Sequence, residues 1–301
     1  MTGHHGTLFL VNSLAGSGRA GRVWNELRAA VPGLAAAEHV LVANPEEARR
    51  ELERRFREPL ERLIAIGGDG SVHLAVNQLI QSGRHRDVAL GLVPAGTGSD
   101  LARTLRLPLD PRKALDHALA ASPRPIDVIE AVTDGGERRH VLNVASAGIS
   151  GLVDELVNAQ AKRSSAAFLT ATLRALASYR PFACRVEADG EPWYEGEVFV
   201  LAIANGRSFG KGMRIAPRAE VDDGLADLIL VRPMARWQLP LRMPRVYLGT
   251  HLDQPSVSWR RARTVRLEAT APFPPFDVDG EVLPSGSATF TVLPGALRFL
   301  G

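Results

Sequence analysis

The sequence predicts two domains: an α/β domain built on an open, mostly parallel sheet, then an antiparallel, β-sandwich-like one. Three observations predict this. Over residues 1–125 short apolar strands alternate with helical segments, the signature of a parallel sheet covered by helices. Three of those strands run directly into loops of glycine, serine and asparagine. After Pro123 the pattern changes to strand, turn, strand, which marks antiparallel structure. A chain of 301 residues accommodates two domains. Their expected extents are 1–125, with 288–301 returning to the first domain, and 126–287.

Thr7–Val11 reads as the first strand, followed by a turn over Asn12–Gly18 and a helix from about Arg19 to Val31. His39–Val42 is a second strand. Asn44 is a good N-cap, with Pro45 at the first helical position and Glu46 and Glu47 in the first turn, so a helix is predicted to about Arg57. Arg62–Ile66 is a strand ending in Gly67-Gly68-Asp69-Gly70, and a helix follows from about Ser71 to Gln81, stopped by Gly83. Val88–Val93 runs into Pro94–Asp100. Ile126–Val132 and Val141–Ala145 flank Asp134-Gly135-Gly136 as a hairpin. Gly151–Ser178 is predicted helical, and its Phe168, Leu169, Leu173 and Leu176 have the spacing of a packed face. Further strands are Cys184–Ala188, Val198–Ala204, Ala226–Val231, Thr264–Leu267 and Ala288–Val292. Arg236–Leu248 is a connecting helix that Pro240 and Pro244 should break or shorten.

Composition narrows the function classes. Apolar residues make up 45% and charged residues 23%, as in a globular protein with a real core. A formal net charge of +3 favours anionic partners such as nucleotides, phosphorylated metabolites or acidic membrane faces. A single cysteine, Cys184, excludes an internal disulfide and suits a reducing compartment. No apolar run reaches the roughly 18 residues of a membrane span, and Met1–Gly6 lacks the apolar core of a signal peptide. A cytoplasmic location is therefore expected. His4-His5 reads as a solvated pair.

In open parallel sheets ligands bind beyond the carboxyl ends of the strands. Three loops stand there: Asn12–Gly18, Gly67–Ser71 and Pro94–Asp100. Glycine lets backbone N–H groups approach phosphate oxygens, and the following helix adds its positive N-terminal end. Three such loops in one sheet, two carrying an aspartate, point to a nucleotide site. The Walker spacing G-x-x-x-x-G-K-[ST] is absent. Gly16, Gly18 and Gly21 formally match G-x-G-x-x-G, but Ala43 and Asn44 stand where a dinucleotide site needs an acid.

Several of these segments resemble the diacylglycerol kinase catalytic-domain family, which includes sphingosine kinases and small bacterial lipid kinases. Ile66–Ser71 resembles its GGDGT loop, which NAD kinases share. Pro94–Arg103 resembles its P-x-G-T-x-N-D-F-A-R segment, and Asn12–Gly16 its N-P-x-S-G segment. Ile215-Ala216-Pro217 with Ala219, then Asp222–Leu225, resembles a second-domain segment of the bacterial members, and Asp279-Gly280-Glu281 their D-G-E.

The resemblance implies a lipid kinase using ATP and Mg²⁺, with the nucleotide between the domains. Asn12, Ser13, Gly16, Gly67, Gly68, Asp69, Gly70, Ser71, Thr97 and Asp100 would line the nucleotide. Asp279 and Glu281 would be the catalytic pair, one taking the proton of a lipid hydroxyl as it attacks the γ-phosphate. Asp69, Asp100 and Asp127 would organise Mg²⁺. Glu220, Asp223 and the carbonyl of Leu225 would hold a structural divalent ion. The implied partners are ATP and a lipid met at the membrane surface; nucleic acid is not among them, and a homodimer is left open. Arg163, Arg174 and Arg180 could touch anionic headgroups. Departures from the pattern are Ser13 for Pro, Ala15 for Ser, Ser71 for Thr, Ser99 for Asn and Leu101 for Phe; none removes an acid. Ser17 stands where some members have Lys, a charge Arg19 could supply. An NAD kinase and a non-catalytic nucleotide or lipid sensor are the competing readings.

Overall fold

The structure, a computed structural model, describes residues 6–148, 181–235, 237–270 and 273–301. The helical reading of 151–178, the arginines at 163, 174 and 180, and the His4-His5 pair lie outside the described residues. The chain divides into two compact units, Met1–Val128 with Pro294–Gly301, and Ile129–Leu293.

The first unit holds β1 (Thr7–Asn12), β2 (His39–Val42), β3 (Arg62–Gly67) and β4 (Ala89–Pro94), with α1 (Ala15–Ala30), α2 (Pro45–Arg55), α3 (Asp69–Gln81), α4 (Asp100–Thr104) and α5 (Pro111–Ala120). Its strands pair in parallel in the order β2-β1-β3-β4, and Phe299 near the carboxyl end pairs with Leu90 on the far side of β4. Phe9, Val11, Ile64, Ile66 and Val93 face Val23, Trp24 and Leu27 of α1 and Ala114, Leu115 and Ala118 of α5. The alternate residues Leu8, Leu10, Leu63, Ala65, Leu90 and Leu92 are equally buried, because successive side chains of a strand point to opposite faces. Continuous apolar runs thus bury both faces. Asn44 caps α2 by accepting from the Glu47 N–H, and Glu47 reaches back to the Ala43 N–H at 2.8 Å, a reciprocal cap that fixes the helix start.

The second unit is antiparallel. In chain order its strands are β5 (Pro123–Thr133, which enters from the first unit), β6 (Arg138–Val141), β7 (Val144–Gly148), β8 (Phe182–Ala188), β9 (Glu191–Val198), β10 (Val200–Ala204) and β11 (Ala226–Val231). Helix α6 (Gln238–Leu248) precedes β12 (Val257–Ala262), β13 (Thr264–Ala269), β14 (Phe276–Val278), β15 (Glu281–Leu283) and β16 (Ala288–Leu300), which runs back into the first unit. One sheet has the order β12-β11-β10-β7-β14-β15, and β16, β13, β8 and β9 neighbour one another in that order in the other. The core between them takes Leu201 and Ile203 of β10, Leu228 and Leu230 of β11, and Val186, Val265 and Phe290 from the facing strands. Phe182, Phe273, Phe276 and Phe290 form a chain of ring contacts with centroids 4.8–5.4 Å apart, each pair worth about 0.5–1.5 kcal/mol beyond its burial. Ala202, Ala204 and Ile229 point the other way, and the segment carrying Ile215, Ala216 and Ala219 covers them.

Three expectations change. Strand β5 pairs with Arg138–Val141 around the Asp134-Gly135-Gly136 turn, while Val144 onward belongs to the other sheet; the expected single strand Val141–Ala145 is divided at Leu142-Asn143. Val198–Ala204 likewise divides, between β9 and β10. The helix over 238–248 is not broken. Position 240 falls in its first turn, where N–H groups have no intrahelical acceptor, and only Pro244 sits inside it.

Burial pushes the Cys184 thiol up to about 12, and the side chain lies in the sandwich core. The thiolate is the reactive form. Ellman's reagent should therefore leave Cys184 untouched in the native chain and titrate one thiol once denaturant unfolds the second unit; rapid native reaction would contradict this packing.

Candidate active site

The three loops of the first unit interlock. The Ala95 and Gly96 N–H groups both donate to the carbonyl of Gly67, at 2.7 and 3.0 Å. A Cβ on Gly96 would lie 2.5 Å from the Cα of Gly68, so these two loops touch backbone to backbone and no side chain fits between them. Gly16 has φ of 61°, and its Cβ would lie 2.6 Å from the Ala95 carbonyl; position 16 needs glycine both for its left-handed backbone and for this approach. Gly16, Ser17 and Gly18 are all left-handed, so helical geometry in α1 starts at Arg19.

Side chains complete the link. Asn12 Nδ2 donates to Ser71 Oγ at 3.3 Å. The Asp69 carboxylate accepts from the Asp100 and Leu101 N–H groups at 3.2 and 3.3 Å, capping α4. Asp100 is buried and pairs with Arg103 at 3.3 Å. Ser13 is turned to the sheet instead: its hydroxyl and N–H both donate to the Val42 carbonyl. Asp127 is buried and accepts from the Gly295 N–H at 2.7 Å, which ties the returning 294–301 segment to this unit. The exposed face of the cluster carries Thr97, Gly70 and the N-terminus of α3, with exposed Arg19 and Arg22 alongside loop 12–18. At Gly70 a Cβ would meet nothing within 4 Å. Amide donors, a helix N-terminus and nearby guanidinium groups give this surface the donors and positive charge that suit a phosphate group.

In the second unit Asp279-Gly280 is the two-residue turn between β14 and β15, with φ of 54° and 88°. Positive φ at both positions is the geometry of hairpin turns, and Asp-Gly is favoured there. The Asp279 carboxylate also accepts from the N–H groups of Leu142, Asn143 and Val144, at 2.7–3.3 Å. That capture is why the expected strand Val141–Ala145 divides. Glu281 begins β15, next to the turn. Sequence reasoning did not find three buried polar residues around them. Asp277 accepts from the Gly280 N–H at 2.7 Å. Asn205 Nδ2 donates to the Leu142 carbonyl and Asn143 Nδ2 to the Ser208 carbonyl. Asn143 Oδ1 is buried without a hydrogen-bond partner among the described residues. A lone asparagine within the apolar run Val141–Ala145 was the available signal.

Glu220, Asp223 and Leu225 lie away from this turn, on the segment before β11. Asp223 Oδ1 accepts from the Leu225 N–H at 3.0 Å, and its Oδ2 lies 3.4 Å from Arg261 Nη1. Arg261 Nε lies 3.8 Å from buried Asp227, whose carboxyl is pushed up by burial and restrained by Trp259 Nε1–H and Arg261. Arg261 and Arg218 both lie over the Trp259 ring, at 5.7 and 4.8 Å. The positive charge these carboxylates need is already supplied by a guanidinium. Arg261 thus offsets the charge of Asp223 and Asp227, and among the described residues no three acids, imidazoles or thiols converge as a metal cage.

Interlocked glycine loops on a parallel sheet are joined in this chain to a β-sandwich unit with an Asp-Gly turn between β14 and β15. Family models agree: residues 6–131 match the diacylglycerol kinase catalytic domain, and residues 143–301 match the YegS C-terminal NAD kinase beta sandwich-like domain. The chain belongs to this family of lipid kinases. It is similar to the diacylglycerol kinase of Mycobacterium tuberculosis (strain ATCC 25618 / H37Rv), 29% identical over 97% of this chain and 93% of that one. A protein named "Probable lipid kinase YegS-like" from Pseudomonas aeruginosa is 33% identical over 84% of this chain and 80% of its own length. The crystal structure of a diacylglycerol kinase from Bacillus anthracis shares the fold, with a TM-score of 0.73 at 22% identity over 98% of this chain and 96% of that one.

Two outcomes test the second unit. Asp279→Ala leaves three amides without their acceptor and should cost about 3 kcal/mol of stability in urea unfolding, whereas Glu281→Gln should change it by less than about 1 kcal/mol; equal stability of the two variants would remove the clamp. Chelation by EDTA should leave the unfolding temperature unchanged, because Arg261 supplies the charge, while Arg261→Gln should lower it by a few degrees. A fall on EDTA that Mg²⁺ reverses would place an ion beside Asp223.

Proposed function

We propose that the chain transfers the γ-phosphate of ATP to the hydroxyl of a membrane lipid, with diacylglycerol-like lipids as the substrate class. The observation that carries this reading is the interlocked cradle, in which Gly67 and Gly68 lie against Ala95 and Gly96 with the α3 N-terminus open beside them. Phosphoryl transfer asks mainly for positioning and charge stabilisation. Gly67–Ser71, Thr97, Asn12 and Gly16 hold the phosphates in this reading, and Ser13 supports the loop from behind. Asp279 and Glu281 supply the carboxylates in this reading, one of which takes the proton from the attacking hydroxyl.

Mg²⁺ fits the first unit in the form that kinases use: one or two carboxylates, with phosphate oxygens and water completing the shell. Asp69 and Asp100, tied together through the Asp100 N–H, are the carboxylates that would hold it, and Asp127 would join them in this reading. When bound, the ion neutralises charge on the phosphates. Asp69 itself keeps loops 67–71 and 94–100 in register by capping α4. No helix of the described residues is long and apolar enough to cross a membrane, so the lipid is taken at a surface in this reading.

The test is incubation of the full chain with γ-labelled ATP, Mg²⁺, NAD and a total lipid extract, followed by separation of products. Label in a lipid is expected. Label in NADP would establish the NAD kinase reading, and no labelled product the sensor reading. In the same assay Gly70→Val should raise the ATP KM roughly tenfold, about 1.4 kcal/mol of binding, with the unfolding temperature nearly unchanged, because the space at Gly70 is open. An unchanged KM would overturn the cradle assignment.

A further inference from the structure

We propose that α6 is the element with which this chain docks on an anionic lipid surface. The helix presents a large apolar stripe to solvent: Trp237, which caps it, and Leu241 are each 69% exposed, Leu248 is 66% and Tyr247 44% exposed. Positions 237, 241 and 248 are four and seven residues apart, so they share one helix face; exposed Pro244 falls between them. The opposite side is the anchored one. Leu239 enters the sandwich core, and the Val246 carbonyl accepts from the Arg214 N–H at 3.1 Å. One side of α6 is therefore spent on the fold, and the other is exposed to solvent among the described residues.

Charge identifies what covers it. Between Asp227 and Asp253 the chain has no acidic residue, and it has arginines at 232, 236, 242 and 245. Arg245 is exposed. Arg242 bonds to Gln254, Ser256 and Gln238, and Arg232 to the Pro255 carbonyl and Ser258. These partners are all neutral, so no carboxylate among them offsets the charge of Arg232 and Arg242. A protein partner with an apolar patch would satisfy the stripe alone. An interface that is apolar below and anionic around satisfies both features, and that is the boundary of a bilayer with acidic headgroups. Tryptophan and tyrosine beside leucine suit that depth, with an apolar body and a polar tip.

Docking is independent of the phosphoryl transfer proposed above. Its test is flotation of the full chain with vesicles of phosphatidylcholine alone and with vesicles containing about one-third phosphatidylglycerol. Flotation with the anionic vesicles, weakened by salt, is expected, with roughly tenfold less on the neutral ones. The triple variant Trp237→Ser, Leu241→Ser, Leu248→Ser should lose roughly tenfold in binding, and Arg245→Glu several-fold, both with wild-type circular dichroism because these side chains are exposed. On a short-chain, water-soluble acceptor the triple variant should turn over like the wild type. Equal flotation of wild type and triple variant, or no flotation of the wild type, would overturn the proposal. So would a solution dimer that the triple variant dissolves, since a second copy would then cover the stripe. A chain that floats but phosphorylates nothing would retain the docking helix and lose the kinase reading.

Discussion

The carbonyl of Gly67 is the point on which the first unit depends. It accepts from two successive amides of the next loop, and that pair of hydrogen bonds brings Gly96 against Gly68 at a separation that leaves no room for a side chain at position 96. Everything functional in this unit follows from the contact. With the two loops in register, Asp69 reaches the amides that start α4, Asn12 reaches Ser71, and loop 12–18 closes against Ala95 through Gly16. The backbone donors are held by these contacts, so a ligand bound there would cost little ordering entropy.

The second unit rests on a different device. Asp279 occupies a strained-looking but permitted left-handed position, which aspartate tolerates better than most residues, and its carboxylate gathers three amides that belong to no sheet ladder. A buried backbone N–H without a partner would be costly; here the division between β6 and β7 is satisfied by one side chain from a distant turn. The same turn places Glu281 at the start of β15. Asp279 thus carries a structural duty next to Glu281, so any loss of activity in variants at 279 has to be read together with loss of stability.

Much of this was legible in the sequence. The parallel strands announced themselves as apolar runs, and Asn44-Pro45-Glu46-Glu47 carried a helix start on its face. The loops at 67–71 and 94–100 stood out because glycine and aspartate at strand ends have few other uses. What stayed hidden was long-range. Strands β9, β12, β14 and β15 are short or half-exposed, and an apolar–polar alternation of a few residues is weak against turn chemistry. Asn143, Asn205 and Asp277 looked like ordinary polar residues because their meaning lies in partners far along the chain. Ser13 looked like a ligand for phosphate, but its hydroxyl is used by Val42.

The sequence by itself determined the two-unit architecture, the three loops and the kinase family, because those depend on local periodicity, on residue types that few backbones accommodate, and on motif order. Only the tertiary structure decided what each charged group does. Asp69 became a cap, Asp127 an anchor for the returning carboxyl end, Asp279 a clamp on three amides, and Arg261 the cation beside Asp223. The physical reason is common to all four: a carboxylate's role is set by which donors reach it, and those donors lie tens or hundreds of residues away, brought near only when the sheets close.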